Sequence, residues 1–291
     1  MCIKVIRFLF LFLVSKLSVA TTFVVPADGD VVGEIQYAYA QTGESLGEAG
    51  LRYDVGYYEM VHANPKVNPS STLAPHARLL IPSQYILPTV IREGVVINLA
   101  EYRLYYFPPN DNVVITQPVG VGRKGWSTPV GTTRVIAKQR DPVWTPSAKL
   151  RAEAEKNGLL LPDVFPANSG NPLGRHSLRL GWPTYLIHGT NKTDGVGMRV
   201  SAGCIRMLPE DIEYLFELVN VGTAVRVINE PLKLGKLDGE VYLEVHTKLT
   251  AASLLGLAQK QLSSLQLAHL NKMVIQQELN LPSGIPKKIS S

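Results

Sequence analysis

Between Val95 and Phe107 the chain reads VVINLAEYRLYYF, a stretch rich in β-branched and aromatic side chains. Such residues favour the pleated surface of a sheet. Pro108-Pro109-Asn110-Asp111 then supplies turn chemistry, and Val113 to Val119 (VVITQPV) returns as a second strand. Thr132 to Ala137 and Thr184 to His188 read as further strands. A helix is predicted from Pro209-Glu210-Asp211 through Val219. It has acids in its first turn, proline near the first helical position, and Ile212, Leu215, Phe216 and Val219 on one face. Residues 92–229 therefore read as a mainly β domain with few helices.

On either side the text changes. With 291 residues there is room for one large domain or two smaller ones. Residues 21–83 read as a small β-α-α-β unit. It has a strand near Phe23 to Pro26, polar helical stretches around Ile35 to Gln41 and Tyr57 to Ala63, and a closing run Leu79-Leu80-Ile81. Pro82 and Pro88 bracket the connector to the β domain. Residues 230–291 begin with a strand at Val241 to His246. They continue as a Leu-, Ala- and Gln-rich helical extension from Leu249 to Leu279, with Leu254, Ala258, Leu262 and Leu265 at helical spacing.

The first twenty residues have the pattern of a secretory signal. Lys4 and Arg7 precede an apolar run from Phe8 to Val14, and the small residues Ser18 and Ala20 flank Val19, which predicts cleavage after Ala20. The run is too short for a membrane span, which needs about 20 apolar residues. Cleavage would remove Lys4, Arg7 and Lys16, leaving 26 basic against 24 acidic residues, a net charge of +2. No basic cluster longer than Arg123-Lys124 or Lys287-Lys288 remains, so a nucleic-acid partner is not expected. Of the two cysteines Cys2 would leave with the signal, and Cys204 cannot form a disulfide within its own chain. The six scattered histidines lack metal-ligand spacing, and no metal or other cofactor is expected.

Gly120-Val121-Gly122-Arg123-Lys124-Gly125 matches the dinucleotide-binding G-x-G-x-x-G, but that fingerprint needs a helix to open at its third glycine and hold the pyrophosphate. Trp126-Ser127-Thr128-Pro129 cannot start one. The glycines are read as a tight turn between strands, with Trp126 near a groove.

The chemistry-bearing stretch runs from Tyr185-Leu-Ile-His188-Gly189-Thr-Asn191 to Arg199-Val-Ser201-Ala-Gly203-Cys204-Ile-Arg206. His188 ends an apolar strand, and Cys204 follows sixteen positions later after a glycine-rich excursion. A thiol becomes nucleophilic as its thiolate, and an imidazole can take its proton and later deliver it to a leaving amine. Gly203 lets the backbone approach closely, so the N–H groups of Gly203 and Cys204 are candidate oxyanion donors, with Ser201 and Gly189 supporting the loop. Arg206 could anchor a substrate carboxylate and lower the thiol pKa. Asn191 and Trp126 are the other candidate substrate contacts. No Asp or Glu nearby would orient His188, so a backbone carbonyl is the candidate for that role.

This segment resembles the signature of the YkuD-type L,D-transpeptidases, bacterial cell-wall enzymes. The similarity extends over about residues 92–229, through Tyr102 to Pro109, Pro118-Val-Gly-Val-Gly-Arg-Lys-Gly-Trp126, Thr128-Pro-Val-Gly-Thr and Asn171-Pro-Leu-Gly174. The resemblance implies a mainly β, sandwich-like catalytic domain in which Cys204 is the nucleophile and His188 the base. The thiol would attack the diaminopimelate carbonyl of a donor tetrapeptide, release D-alanine and hold the acyl group as a thioester. An acceptor amine would then take it, from a second diaminopimelate (a 3→3 crosslink) or from the lysine of an outer-membrane lipoprotein. One departure is Ala202, where family members commonly carry histidine.

Residues 21–83 resemble a degenerate LysM module, a glycan binder, through Val25-Pro-Ala-Asp28-Gly29-Asp30, Asn64-Pro65 and Leu73-x-Pro75 with Leu79-x-Ile81-Pro82. Val31 and His76 depart from that pattern. The expected partners are peptidoglycan stem peptides and glycan strands, and the expected location is the periplasm. Two rivals stand beside the transferase. One is a carboxypeptidase or a crosslink- or anchor-cleaving hydrolase on the same scaffold; the other is a non-catalytic peptidoglycan-binding protein.

Overall fold

The computed structural model describes residues 21–249 and 270–290. The signal-like segment, and Leu254 to Leu265 of the helical extension, lie outside the described residues. The N-terminal part holds β1 (Thr21–Val24), β2 (Val31–Gly33), β3 (Gln36–Tyr39), α1 (Leu46–Leu51), α2 (Tyr57–Ala63), β4 (Arg78–Ile81) and β5 (Gln84–Ile86). β3 and β4 pair antiparallel around the two helices, so the β-α-α-β order holds. Ala38, Leu46, Val55, Met60, Leu79 and Ile81 form its core. Helix α1 starts in a capping box. The Ser45 hydroxyl accepts the Glu48 N–H, and the Glu48 carboxylate accepts the Ser45 N–H at 2.7 Å.

Two expectations change here. Ile35 to Gln41 is not helical: it contains β3, where Ala38 points inward between the exposed Tyr37 and Tyr39, a period of two. The strand near Phe23 does not open the β-α-α-β unit either. β1 pairs antiparallel with the central-sheet strand Val113–Pro118, covering a sheet edge that would otherwise be open, and Phe23 packs against Tyr85.

The central part contains β6 (Gly94–Asn98), β7 (Arg103–Phe107), β8 (Val113–Pro118), β9 (Val121–Gly122), β10 (Gly131–Arg140), α3 (Ala148–Lys156), β11 (His176–Leu180), β12 (Leu186–His188), β13 (Arg199–Ser201), β14 (Ile205–Arg206), α4 (Pro209–Leu218) and β15 (Ala224–Ile228). A nine-stranded sheet takes the order β1-β8-β7-β6-β15-β10-β11-β12-β14. The run from Val95 to Phe107 is two strands rather than one. They form a hairpin turning at Leu99 to Tyr102, where Tyr102 adopts φ +58°. The run reads as unbroken apolar text because both faces are covered. Val95 and Ile97 join the core under α4, while Val96 joins Phe23, Val32, Tyr85 and Val114 on the other side. Helix α4 begins at Pro209 and buries Ile212, Leu215 and Phe216, as its pattern predicts. Helix α3, in the excursion between β10 and β11, has no counterpart in the sequence reading.

The C-terminal part forms a three-stranded sheet of β16 (Leu232–Leu237), β17 (Glu240–Val245) and β18 (Lys287–Lys288) with helix α5 (Lys272–Asn280), whose Asn271 side chain caps its first turn. β17 coincides with the strand expected at Val241 to His246. Buried charge fastens the three parts together. Arg103 on β7 grips Glu59 of α2 through two hydrogen bonds of 2.8 and 2.9 Å. Lys233 on β16 lies 2.6 Å from Glu101, in the β6–β7 turn, and 3.0 Å from Glu244. Among the described residues no helix is long and apolar enough to cross a membrane.

Candidate active site

Strand β12 lies between β11 and β14. It runs parallel to β14, with Ile187 opposite Ile205 and His188 opposite Arg206. Side chains alternate across a strand. Ile187 and Ile205 enter the core, so His188 and Arg206 share the opposite face, and Cys204, two residues before Arg206, follows the same alternation. The sixteen-residue excursion thus brings thiol, imidazole and guanidinium to one face of the sheet. His188 is buried, at 5% exposure, whereas Cys204 is a partly exposed free thiol. His188 Nδ1 lies 2.6 Å from the Gly189 carbonyl oxygen. A carbonyl only accepts, so Nδ1 carries the hydrogen and Nε2 is left as the basic nitrogen. The orienting group is a backbone carbonyl.

The thiol sits against the turn that precedes β12. Cys204 Sγ donates toward the Thr184 carbonyl at 3.5 Å, and the Leu186 N–H points back at the sulfur. Thr184 has φ +68°, a conformation rare for a β-branched residue. The Cys204 loop is held from both sides. The Ser201 hydroxyl donates to the Cys204 carbonyl at 2.5 Å and accepts the Gly203 N–H at 3.1 Å. The Gly203 amide is therefore engaged, and the Cys204 N–H is the amide left to face an oxyanion. Gly203 itself takes φ +108°, a conformation strained for any residue with a side chain, and a Cβ there would lie 3.0 Å from the Tyr185 ring.

The glycine-rich turn at 120–125 turns out to cradle this loop. β9 runs parallel to β13, setting Ser201 beside Gly122. The Thr128 hydroxyl accepts the Gly122 N–H at 3.0 Å and donates to the Gly203 carbonyl at 2.8 Å. A Cβ on Gly122 would lie 2.1 Å from the Trp126 carbonyl oxygen, so glycine is required there. Thr128 and Thr184 were not singled out from sequence. Thr128 stands in the sequence only within a stretch that resembles the family, and Thr184 carries no signal, because its contribution is a backbone carbonyl.

The other candidates are spread more widely. Arg206 keeps a buried Nε with no partner among the described residues, and its nearest acid is Asp194. A guanidinium so placed beside a thiol is suited to a substrate anion. Trp126 is half-buried, donates to Glu153 of α3 at 2.6 Å, and carries the Lys149 ammonium 4.0 Å over its ring. Asn191 is exposed and donates to the Gly170 carbonyl at 3.0 Å, bracing the excursion rather than joining the thiol face. Gly189 is buried against Ile212 of α4 and presents its carbonyl to His188. Glu101, Glu244 and His246 converge closely enough to suggest a metal site. The Lys233 ammonium already supplies the cation there.

The electrostatics make the resting pair neutral. Burial lowers the His188 pKa to about 4, opposed by the Gly189 carbonyl and reinforced by the positive charge of Arg206. Burial pushes the Cys204 thiol up from its ordinary value, against the Leu186 N–H and Arg206, which favour the thiolate. At pH 7 the site thus holds thiol and imidazole rather than thiolate and imidazolium. Alkylation of Cys204 by iodoacetamide is expected to rise with pH through and beyond about 8.5, the value of an unperturbed thiol. A flat rate between about pH 5 and 8 would instead reveal a preformed ion pair.

With the geometry in place, comparison with known proteins is informative. The YkuD family, described as the L,D-transpeptidase catalytic domain, matches residues 92–227. The chain is 44% identical over 238 residues to "Probable L,D-transpeptidase YbiS" of Escherichia coli K12, covering 79% of this chain and 76% of that one. It is 42% identical over 249 residues to "Probable L,D-transpeptidase ErfK/SrfK" of Salmonella typhimurium, covering 83% and 79%. The catalytic domain of the Enterococcus faecium L,D-transpeptidase is a more distant likeness, 20% identical with a TM-score of 0.38, over 48% of this chain and all of that one. By the extent and identity of the first two matches, this chain belongs to the L,D-transpeptidase family.

Proposed function

We propose that the chain is an exported peptidoglycan L,D-transpeptidase working through a Cys204 thioester. The observation that carries this reading is the common face shared by His188, Cys204 and Arg206 on β12 and β14, with His188 Nδ1 tied to the Gly189 carbonyl. The donor peptide binds with a carboxylate on the Arg206 guanidinium. Burial is the main cause of the low His188 pKa and the Arg206 charge adds to it; neutralising that charge raises the imidazole basicity as substrate arrives. His188 Nε2 takes the thiol proton as sulfur attacks the diaminopimelate carbonyl, and the oxyanion meets the Cys204 N–H. The intermediate then collapses. The C–N bond to D-alanine breaks, the leaving amine takes the proton from His188, and the acyl group stays on sulfur. An acceptor amine attacks the thioester, giving its proton to His188, which returns it to the thiolate.

The acceptor is a second diaminopimelate or a lysine of an outer-membrane lipoprotein, and the site of action is the periplasm. The β3-α1-α2-β4 unit is read as a LysM-like module that holds the glycan near the site, supported by its element order. Mature protein incubated with disaccharide-tetrapeptide is expected to yield crosslinked dimer plus D-alanine. Tripeptide as the sole product would make it a hydrolase. No turnover, with unchanged binding to peptidoglycan, would leave only the binding protein.

A further inference from the structure

We propose that the carboxylate of Asp54 is a receptor for the chain's own mature α-ammonium group, created by cleavage between Ala20 and Thr21. Asp54 ends the α1 region in a left-handed conformation, with φ +54°, and is buried at 7% exposure. A buried carboxylate ordinarily has a cationic partner. Among the described residues no side-chain cation pairs with this one. Arg103 donates to the Asp54 backbone carbonyl at 2.7 Å and spends its other bonds on Glu59 and Thr116. The groups that do reach the carboxylate belong to Thr21. Its backbone nitrogen lies 3.1 Å and its hydroxyl 2.7 Å from Asp54 Oδ2. A second carboxyl, that of Asp211, lies close enough to feel the Asp54 charge and keeps a buried Oδ2 without a partner among the described residues. Arg103, whose charge also reaches Asp211, is the cation at hand, and it is already paired with Glu59.

The proposal rests on reading residues 1–20 as a cleavable signal. Hydrolysis of the Ala20–Thr21 bond by a signal peptidase adds one water. Ala20 leaves with a carboxylate, and the Thr21 amine takes up a proton to become an ammonium. The neutral amide donor at Asp54 thereby becomes a full cation at the same place. β1 begins at Thr21, whose partner in the sheet is Thr116, so the new terminus is held by the strand ladder as well. The consequence reaches the active site. The segment after Asp54 packs on the excursion between His188 and Cys204: the Tyr58 N–H donates to the Gly197 carbonyl at 3.4 Å, and a Cβ on Gly197 would lie 2.5 Å from the Gly56 Cα. Export thus completes an ion pair that fixes the 54–58 turn against the loop bearing Cys204.

The test uses the whole mature chain in four forms: beginning at Thr21 or with Gly-Ser before Thr21, each with Asp54 or with Asp54→Asn. The intact mass of protein recovered from the periplasm first shows where the natural chain starts. A start other than Thr21 would overturn the proposal while leaving the transpeptidase reading untouched. The Thr21 form is expected to melt about 2–4 °C above the Gly-Ser form, and Asp54→Asn is expected to erase that difference when introduced into both. Acetylation of the α-amine at pH 7, read on the N-terminal peptide, is expected to be about tenfold slower in the Thr21 form than in Asp54→Asn, which corresponds to one unit of pKa. Equal melting of the two N-termini, or equal amine reactivity with and without Asp54, would contradict it.

Discussion

His188→Ala is expected to slow acylation of Cys204 by about 10²–10⁴-fold while preserving the fold. Among the described residues the side chain hydrogen-bonds the Gly189 carbonyl alone, and its strand is held by β11, by β14 and by core contacts of Ile187 that do not involve the ring. Leaving that carbonyl unpaired costs about 1–3 kcal/mol, so the variant should melt lower yet keep its circular dichroism. Single-turnover acylation by a carbapenem, followed by intact mass, reads the chemical step directly. Burial pushes the resting thiol up, so in the variant its proton must pass to water instead of to the imidazole. An unchanged acylation rate would remove His188 from the mechanism.

Arg103→Leu is expected to produce the largest loss of stability. The Arg103 guanidinium is fully buried, pairs twice with Glu59, and stacks 4.2 Å over the Tyr85 ring. Removing it strands the Glu59 carboxylate at the junction of two parts of the chain, with the Gly56 N–H its remaining hydrogen bond. Removing one partner of a buried pair costs about 3–5 kcal/mol. For a chain of this size each kcal/mol moves the melting temperature by about 2–4 °C, so a fall of roughly 10 °C is expected. Arg103→Leu combined with Glu59→Gln removes the stranded charge and should recover part of that loss. A melting temperature within about 2 °C of the parent would show that water reaches the pair.

The parts of the molecule differ in how openly they were written. Helix α4 was legible because its start signals and apolar face agree, and strands such as β8 and β17 because β-branched runs lie between turns. The hairpin at 94–107 was hidden, since a sheet covered on both faces leaves no alternation to mark a turn. β3 was mistaken for a helix because four residues with one buried alanine carry too little periodicity to oppose polar composition. The strand near Phe23 reads as the opening of the β-α-α-β unit, because pairing across about ninety positions leaves no local trace. In the site, Cys204, His188 and Arg206 stood out by residue type. What holds them is largely backbone: the carbonyls of Gly189, Thr184 and Gly203, and the amides of Gly122 and Leu186. Those groups are the same in every residue and acquire meaning only from geometry.

In the proposed mechanism Cys204 carries the acyl group. The most direct measurement is the mass of the peptide containing Cys204 after brief reaction with a donor tetrapeptide and acid quench. An adduct equal to the donor minus D-alanine is expected, on Cys204 alone, and it disappears when an amine acceptor is added. An adduct on another residue, or D-alanine release that persists in Cys204→Ala, would contradict it.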